Sequence, residues 1–165
     1  MAIEFALDTP AALPYVDYEM VLDAPVSALF TAFCDADLIR RWFGPRDSRM
    51  QIERWDLHTG GGYRFAHLRG PAAYWFRGVV HSARENELVI WTFEFEGYAD
   101  LPSLEYLSFV DLGDDRCLLR SRSIFPTVEV RDATIEGGGL EASVRDSYER
   151  LDALLSQQAG PVGGD

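Results

Sequence analysis

The most informative stretch of this sequence is Arg41-Trp42-Phe43-Gly44-Pro45. It closes a helical pattern over residues 25–43, in which apolar residues recur at spacings of three and four. A helix cannot pass this Gly-Pro pair, because proline lacks the amide hydrogen and disfavours helical geometry in the residue before it. Trp42 and Phe43 are therefore predicted at a helix end beside a loop, where they either fill the core or form the wall of a pocket.

Outward from this stretch, the chain divides into short strands and a long last helix. Alternating residues between turn sequences predict strands at 15–22, 50–55, 63–68, 74–83, 88–95, 103–112 and 116–125. The helical pattern before Gly44 breaks near Asp35, which can cap a second short helix. A final helical pattern at 127–156 carries an apolar stripe, and three glycines at 137–139 interrupt it. The order predicts an α+β fold in which this helix covers one face of an antiparallel sheet.

Length and charge limit the domain organisation and the partners. The 165 residues suit one domain, predicted at 15–158, with an N-terminal arm at 1–14 and a disordered tail at 159–165. The net charge of −12 argues against a nucleic-acid partner or an anionic membrane surface. No signal peptide and no 18-residue apolar stretch is visible, which predicts a cytoplasmic protein that does not insert into a membrane.

Few residues suggest chemistry. The cysteines Cys34 and Cys117 and the histidines His58, His67 and His81 show no metal-binding spacing, so neither a metal site nor a cofactor is predicted. His67 is retained as a weak candidate for an acid or base, against the alternative that it is a surface or satisfied strand residue.

Glu105 is the more informative candidate. Alternation places it on one face of its strand with Leu107 and Phe109, while the next strand puts Ser121 and Ser123 on one face. If that face points inward, burial would raise the Glu105 pKa and suit the carboxyl to general acid or base catalysis. The alternative is that Glu105, near the start of its strand, reaches solvent or pairs with an arginine.

The aromatic residues of two other strands are predicted to point inward. In the strand from residue 74 the inward set is Tyr74, Phe76, Gly78 and Val80, because it carries no charge. In the strand from residue 88 it is Val89, Trp91, Phe93 and Phe95, the more aromatic of the two faces. A single bulge would reverse either choice.

Four motifs in order resemble one family. They are Arg41-Trp42-Phe43-Gly44-Pro45, Gly61-Gly62-Tyr63-Arg64-Phe65, Arg77-Gly78-Val79-Val80 and the stretch from Phe125 to Ala133. The chain resembles the activator of heat-shock protein ATPase homologue family of the START-like, or SRPBCC, superfamily over roughly residues 15–155. The resemblance implies a helix-grip fold, with a curved seven-stranded sheet around the long C-terminal helix and a cavity between them.

Three functions from different classes are compatible with this resemblance. The first is binding of a small apolar or aromatic molecule in the cavity, lined by Trp42, Phe43, Phe65, Phe76, Trp91, Phe93 and Tyr106. The second is a cyclase- or hydrolase-like enzyme that uses Glu105, His67 or Tyr106 as acid or base. The third is regulation of a chaperone ATPase through the outer surface. An exposed edge strand could also pair across a homodimer.

Overall fold

The computed structural model describes residues 4–138 and 140–160 of the chain. The strands are β1 (Glu4–Asp8), β2 (Tyr15–Leu22), β3 (Arg49–Asp56), β4 (Gly62–Arg69), β5 (Ala72–Arg84), β6 (Leu88–Phe95), β7 (Ser103–Gly113) and β8 (Arg116–Ile124). The helices are α1 (Val26–Cys34), α2 (Ala36–Trp42), α3 (Val128–Gly138) and α4 (Leu140–Gln158), with a short 3-10 turn at Glu96–Tyr98. All strand pairs are antiparallel, in the order β1-β2-β8-β7-β6-β5-β4-β3. The predicted order of elements is confirmed.

The sheet has eight strands, so the predicted count of seven is wrong by one. The additional strand, β1, lies within residues 1–14, which the sequence predicts to be an arm. It pairs with β2 from Glu4 opposite Val21 to Asp8 opposite Asp17, and the Phe5 ring stacks on that of Tyr18 with centroids 6.3 Å apart. Five residues flanked by a proline-rich link give a weak strand signal, and the edge of β2 supplies the missing stabilisation.

The two short helices follow the signals in the sequence. Asp35 ends α1 and caps α2, because its Oδ1 accepts hydrogen bonds from the backbone amides of Asp37 at 2.7 Å and Leu38 at 3.0 Å. Of the three glycines at 137–139, Gly138 is the last residue of α3 and residue 139 lies outside the described residues. The predicted disordered tail falls largely on residues 161–165, which also lie outside them.

The sheet has an inner face that packs on α4 and an outer face that is charged. On the outer face Arg120 pairs with Glu19 at 2.6 Å and Arg122 pairs with Asp17 at 2.7 Å. The side chains of α4 that are buried against the sheet are Tyr148, Leu151, Leu154 and Leu155. This arrangement removes the apolar stripe of α4 from water, which is the main source of stability for such a helix.

The predicted inward sets on β5 and β6 are confirmed, apart from one residue. Val80, Val89 and Trp91 are buried, whereas Tyr74, at the start of β5, is exposed. The register of β5 and β6 shifts between Val80 and Ser82, so a bulge does occur, but it lies beyond the aromatic residues.

The turn after α2 joins the short helices to α4. Gly44 has a φ of +91°, and its backbone amide donates to Ser147 Oγ at 3.2 Å. The Arg150 guanidinium donates to the carbonyl oxygen of Gly44. A Cβ at Gly44 would lie 2.0 Å from the imidazole carbon Cε1 of His67. Glycine is therefore required here both by the backbone conformation and by the close approach of His67.

We expect Gly44→Ala to lower the free energy of unfolding by about 3 kcal/mol, because positive φ and steric overlap each destabilise. Gly60→Ala is the matched control, since Gly60 has a φ of +83° but no atom lies within 4 Å of the position that its Cβ would take. Gly60→Ala should lower the free energy of unfolding by only about 1 kcal/mol, because only the positive φ opposes the alanine there. Denaturant unfolding of both variants measures the difference, and equal losses would show that His67 does not enforce the glycine.

Candidate functional site

A buried carboxylate lies at the centre of the inner face. The Glu105 side chain on β7 accepts a hydrogen bond from Trp91 Nε1 on β6 at 2.8 Å and one from Ser123 Oγ on β8 at 3.0 Å. Ser103 Oγ lies 3.2 Å from Glu105 Oε1 and 3.3 Å from the carbonyl oxygen of Phe93, so its single proton serves one of them. The register places Glu105 directly opposite Trp91 and Ser123. Of the two alternatives that the sequence leaves open for Glu105, the structure therefore has the inward one.

The electrostatics of Glu105 are dominated by its removal from water. Burial raises the pKa of this carboxyl, and the hydrogen bonds from Trp91, Ser123 and Ser103 only partly oppose the shift. The side chain is surrounded by protein, yet the residue is only half-buried. Glu105 therefore keeps some exposure as a residue, while its carboxyl is held by the neighbouring side chains.

Two tyrosines lie beside this carboxyl. Tyr148 of α4 donates a hydrogen bond to the Tyr18 hydroxyl of β2 at 3.0 Å. Burial raises the pKa of Tyr18 to about 12, and the nearby charge of Glu105 adds to the shift. Burial also raises the pKa of Tyr148 well above its usual value. Both hydroxyls thus stay protonated at neutral pH and can act as hydrogen-bond donors.

Ser121 adds a polar atom with no partner. It lies on the inner face of β8, opposite Tyr18 on β2 and Leu107 on β7, and is 4% exposed. The proximity of Ser121 lowers the pKa of Tyr18 slightly, but Ser121 Oγ has no partner in hydrogen-bond geometry among the described residues. A buried hydroxyl without a partner is unusual in a folded protein.

Aromatic residues form the wall beside these polar groups. Phe43, Phe76 and Phe93 are half-buried, and the Phe76 and Phe93 ring centroids are 5.3 Å apart. The rings of Phe43 and Phe93 meet edge to face, with centroids 6.3 Å apart. These three of the predicted lining residues are brought together on the inner face.

Three other predicted lining residues are core residues. Trp42 and Phe65 are 0% exposed and Trp91 is 2% exposed. The Trp42 indole donates from Nε1 to the carbonyl oxygen of Ala32 at 3.0 Å, and its ring stacks on Tyr148 with centroids 5.8 Å apart. Trp42 therefore supports the site from behind, and of the pair at the helix end only Phe43 is placed to contact a ligand.

Tyr106 is not in the predicted position. It lies on the outer face of β7, 38% exposed and opposite Arg122 of β8. Successive residues of a strand point to opposite faces, so an inward Glu105 forces Tyr106 outward. Tyr106 therefore neither lines the inner face nor can act as an acid or base there.

His67 is separate from Glu105. It lies on β4, and β5 and β6 stand between it and β7. The His67 ring packs against the rings of Phe65 and Phe76, with centroids 5.2 Å and 5.6 Å away. Burial lowers the pKa of His67 to about 4, with smaller contributions from the charges of Arg150 and Arg69. The imidazole is therefore neutral at physiological pH. The two acid–base candidates of the sequence do not form a pair.

The remaining features of the described residues contribute no further chemistry. Residues 4–138 and 140–160 contain no group of three or more histidine, cysteine or acidic side chains that could bind a metal ion. Cys34 and Cys117 are free thiols, and burial raises the pKa of each to about 11. An open cleft of about 500 Å³ lies at the opposite end of the strands, lined by Phe30, Thr31, Cys34, Asp35, Leu57, His58, Ala83 and Glu85. Within the described ranges no helix is long and apolar enough to cross a membrane.

Comparison with known proteins establishes the family. The model of the family described as Activator of Hsp90 ATPase homolog 1-like protein matches residues 23–156. The chain belongs to this family. Its residues 41–45, 61–65 and 77–80, which carry the resemblance in the sequence, form the α2–β3 turn and parts of β4 and β5. No match was found among curated proteins.

Solved structures share the fold of this family member. A crystal structure of a Rhodobacter sphaeroides protein is 20% identical over 93% of this chain and 99% of its own, with a TM-score of 0.82. An Arthrobacter aurescens protein with a solution structure is 18% identical in sequence; the match covers 92% of this chain and 91% of that protein, with a TM-score of 0.83. CalU16 from Micromonospora echinospora, in its crystal structure, is 20% identical in sequence; the match covers 96% of this chain and 89% of CalU16, with a TM-score of 0.61. At these identities the likeness shows the START-like helix-grip fold alone.

Sequence reasoning missed Tyr18 and Ser103. The alternation of Val16, Tyr18 and Met20 on β2 contains the signal that Tyr18 points inward. Ser103 stands two residues before Glu105, so the alternation of β7 contains the same signal for it. Its role depends on the register between β6 and β7, which brings Ser103 opposite Phe93.

We expect His67 to make stability pH-dependent between about pH 4 and 6.5. His67 binds a proton more readily in the unfolded chain than in the folded protein. The free energy of unfolding therefore falls as the pH drops through this window. The loss approaches about 3 kcal/mol, because a tenfold difference in proton affinity between the folded and unfolded states corresponds to about 1.4 kcal/mol.

The measurement is urea unfolding of the wild type and His67→Gln across this pH range. The variant should lack most of the slope that His67 supplies. His81→Gln is the control, since His81 is exposed on β5, and it should keep the wild-type slope. An unchanged slope in His67→Gln would contradict the lowered pKa.

Proposed function

We propose that the protein binds a small apolar or aromatic molecule between the inner face of the sheet and α4. The observation that carries this proposal is the half-buried Glu105, hydrogen-bonded to Trp91 and Ser123, beside the half-buried rings of Phe76 and Phe93. Binding sites for small molecules commonly combine apolar walls with a few placed polar groups. Membership of the family and the helix-grip fold are compatible with such a site and support the proposal.

The energetics also favour a ligand-binding role for the polar cluster. A buried carboxyl with a raised pKa and a buried hydroxyl without a partner both reduce stability. Apolar residues of similar size at Glu105 and Ser121 would avoid this loss. Retaining polar groups at such positions is reasonable if they contact a molecule that the protein binds.

A fluorescent probe tests this function directly. N-phenyl-1-naphthylamine is uncharged and becomes brighter in apolar surroundings, and we expect one molecule to bind with micromolar affinity. Phe93→Ala should weaken binding about tenfold, because it removes an aromatic wall contact as well as apolar area.

Tyr106→Ala is the matched control for this experiment. It also removes an aromatic side chain, but from the outer face of β7, and should leave the affinity unchanged. Absence of binding to the wild type, or equal weakening in both variants, would contradict the proposed site. Native mass spectrometry of the purified protein then provides the mass of any molecule that copurifies with it.

A second candidate function is catalysis in the same space, by a cyclase- or hydrolase-like reaction. The raised pKa of Glu105 favours it, because a carboxyl whose pKa is closer to neutrality is a better general acid or base. Full turnover by Glu105→Gln on an identified substrate would remove this candidate. Regulation of a chaperone ATPase is supported by the family description alone. Unchanged chaperone ATP hydrolysis on addition of the protein would exclude it.

A further inference from the structure

We infer that the ligand is an uncharged molecule with a hydroxyl group, and that the site rejects carboxylates and phosphates of similar size. This inference rests on the ligand-binding function proposed above and specifies the chemical class of the ligand. It is based on the charges and the free hydrogen-bonding capacity around Glu105.

The inner-face positions around Glu105 contain no positive charge. On β2 they are Val16, Tyr18, Met20 and Leu22, on β6 Val89, Trp91, Phe93 and Phe95, on β7 Ser103, Glu105, Leu107 and Phe109, and on β8 Cys117, Leu119, Ser121 and Ser123. From α4, Val144, Tyr148 and Leu151 pack toward this region. Glu105 is thus the one carboxyl among these described positions, and no arginine accompanies it.

An anionic ligand would be disfavoured in either protonation state of Glu105. If the carboxyl is ionised, the two negative charges repel each other in a space with few solvent molecules. If it is protonated, the anion still loses its hydration without gaining a cationic partner. The buried Arg131 cannot compensate, because its guanidinium donates to the backbone carbonyls of Pro10, Ala11 and Leu13 and pairs with Asp132. Arg150 of α4, whose Nε has no partner among the described residues, donates to the carbonyl oxygen of Gly44 and pairs with Asp146, so its charge is already partly neutralised.

Free hydrogen-bonding capacity favours a hydroxyl. A carboxylate offers about four acceptor positions, and Trp91, Ser123 and Ser103 use at most three on Glu105. The Tyr18 hydroxyl accepts from Tyr148, and Ser121 lies beside it, but Ser121 Oγ is not in hydrogen-bond geometry with it. The Tyr18 proton is therefore available to a ligand. A ligand hydroxyl can donate to Glu105 and accept from Tyr18, whereas an ammonium group can only donate.

Ser121 supplies an independent observation at the same place. Its buried Oγ has no hydrogen-bond partner within the described ranges and lies opposite Tyr18 in the register. A ligand that shifts the Tyr18 ring or reaches past it would find a second polar contact there. On the other side of Glu105, Phe93 of β6 lies opposite Ser103 and packs on Phe76, and these two rings suit a planar aromatic body.

Three probes of one size separate these properties: 2-naphthol, naphthalene and 2-naphthoate. Each is titrated calorimetrically at pH 7 in about 0.15 M salt, which screens the overall negative charge of the protein. We expect 2-naphthol to bind at least about tenfold more tightly than 2-naphthoate, and more tightly than naphthalene. If naphthalene and 2-naphthoate bind as well as 2-naphthol, the proposed function stands and this inference is wrong. If none of the three binds, the proposed function itself fails, and the inference fails with it.

Glu105→Gln assigns the discrimination to the carboxyl. The glutamine has nearly the same size without the charge, so the preference for 2-naphthol over 2-naphthoate should fall at least about threefold, while the lost hydration of the anion keeps the rest of it. Glu19→Gln is the control, because it makes the same change of net charge on the exposed outer face of β2. An undiminished preference in Glu105→Gln, or an equal fall in Glu19→Gln, overturns the inference.

A second variant keeps the test decisive if Glu105→Gln does not fold, as judged by thermal unfolding. Tyr18→Phe keeps the ring and removes the hydroxyl that lies beside Tyr148. It should reduce the advantage of 2-naphthol over naphthalene, because only the contact with Glu105 is left, while naphthalene binds as it does to the wild type. An undiminished advantage in Tyr18→Phe contradicts the role assigned to the hydroxyl.

Discussion

The contact between the Gly44 turn and α4 organises the rest of the molecule. Ser147 and Arg150, one turn apart on α4, both hydrogen-bond the backbone of Gly44. This contact fixes α4 against the end of α2, and with it the stacking of Trp42 on Tyr148. Because Tyr148 in turn hydrogen-bonds Tyr18, a backbone turn at one end of α2 determines where the hydroxyls of the site lie. The close packing of His67 on Gly44 leaves little freedom for this geometry to change.

The polar cluster is a local exception to the way the rest of the inner face is built. Elsewhere that face buries apolar side chains such as Leu107 and Leu119, which stabilise the fold by leaving water. At Glu105 the hydrogen bonds do not fully offset the loss of hydration, since the net effect is a raised pKa. Sites that bind or react with other molecules are where such locally unfavourable arrangements are concentrated.

Much of the fold was predictable from the sequence, because its signals are local. The Gly44-Pro45 stop, the Asp35 cap and the alternation of the strands each depend on neighbouring residues. The strand β1 was not predictable in this way, since it is stabilised by its partner β2. The site was predictable only in part. Alternation placed Glu105 on the face of Leu107 and Phe109 and Tyr106 on the other face. The contacts of Glu105 with Trp91 and Ser123 depend on the register of three strands.

The two C-terminal helices are attached by different physical means. Helix α4 buries several large apolar side chains, including Leu151 and Leu155. Among residues 128–137 of α3 the one fully buried side chain is Arg131, whose guanidinium bonds the link between β1 and β2. Hydrogen bonds to backbone carbonyls contribute a modest net stability because water can replace them, whereas the burial of an apolar helix face cannot be replaced by water. Helix α3 and the β1–β2 link therefore have a lower local stability than α4. They lie at the end of the sheet where β8 ends, at Ser123 and Ile124.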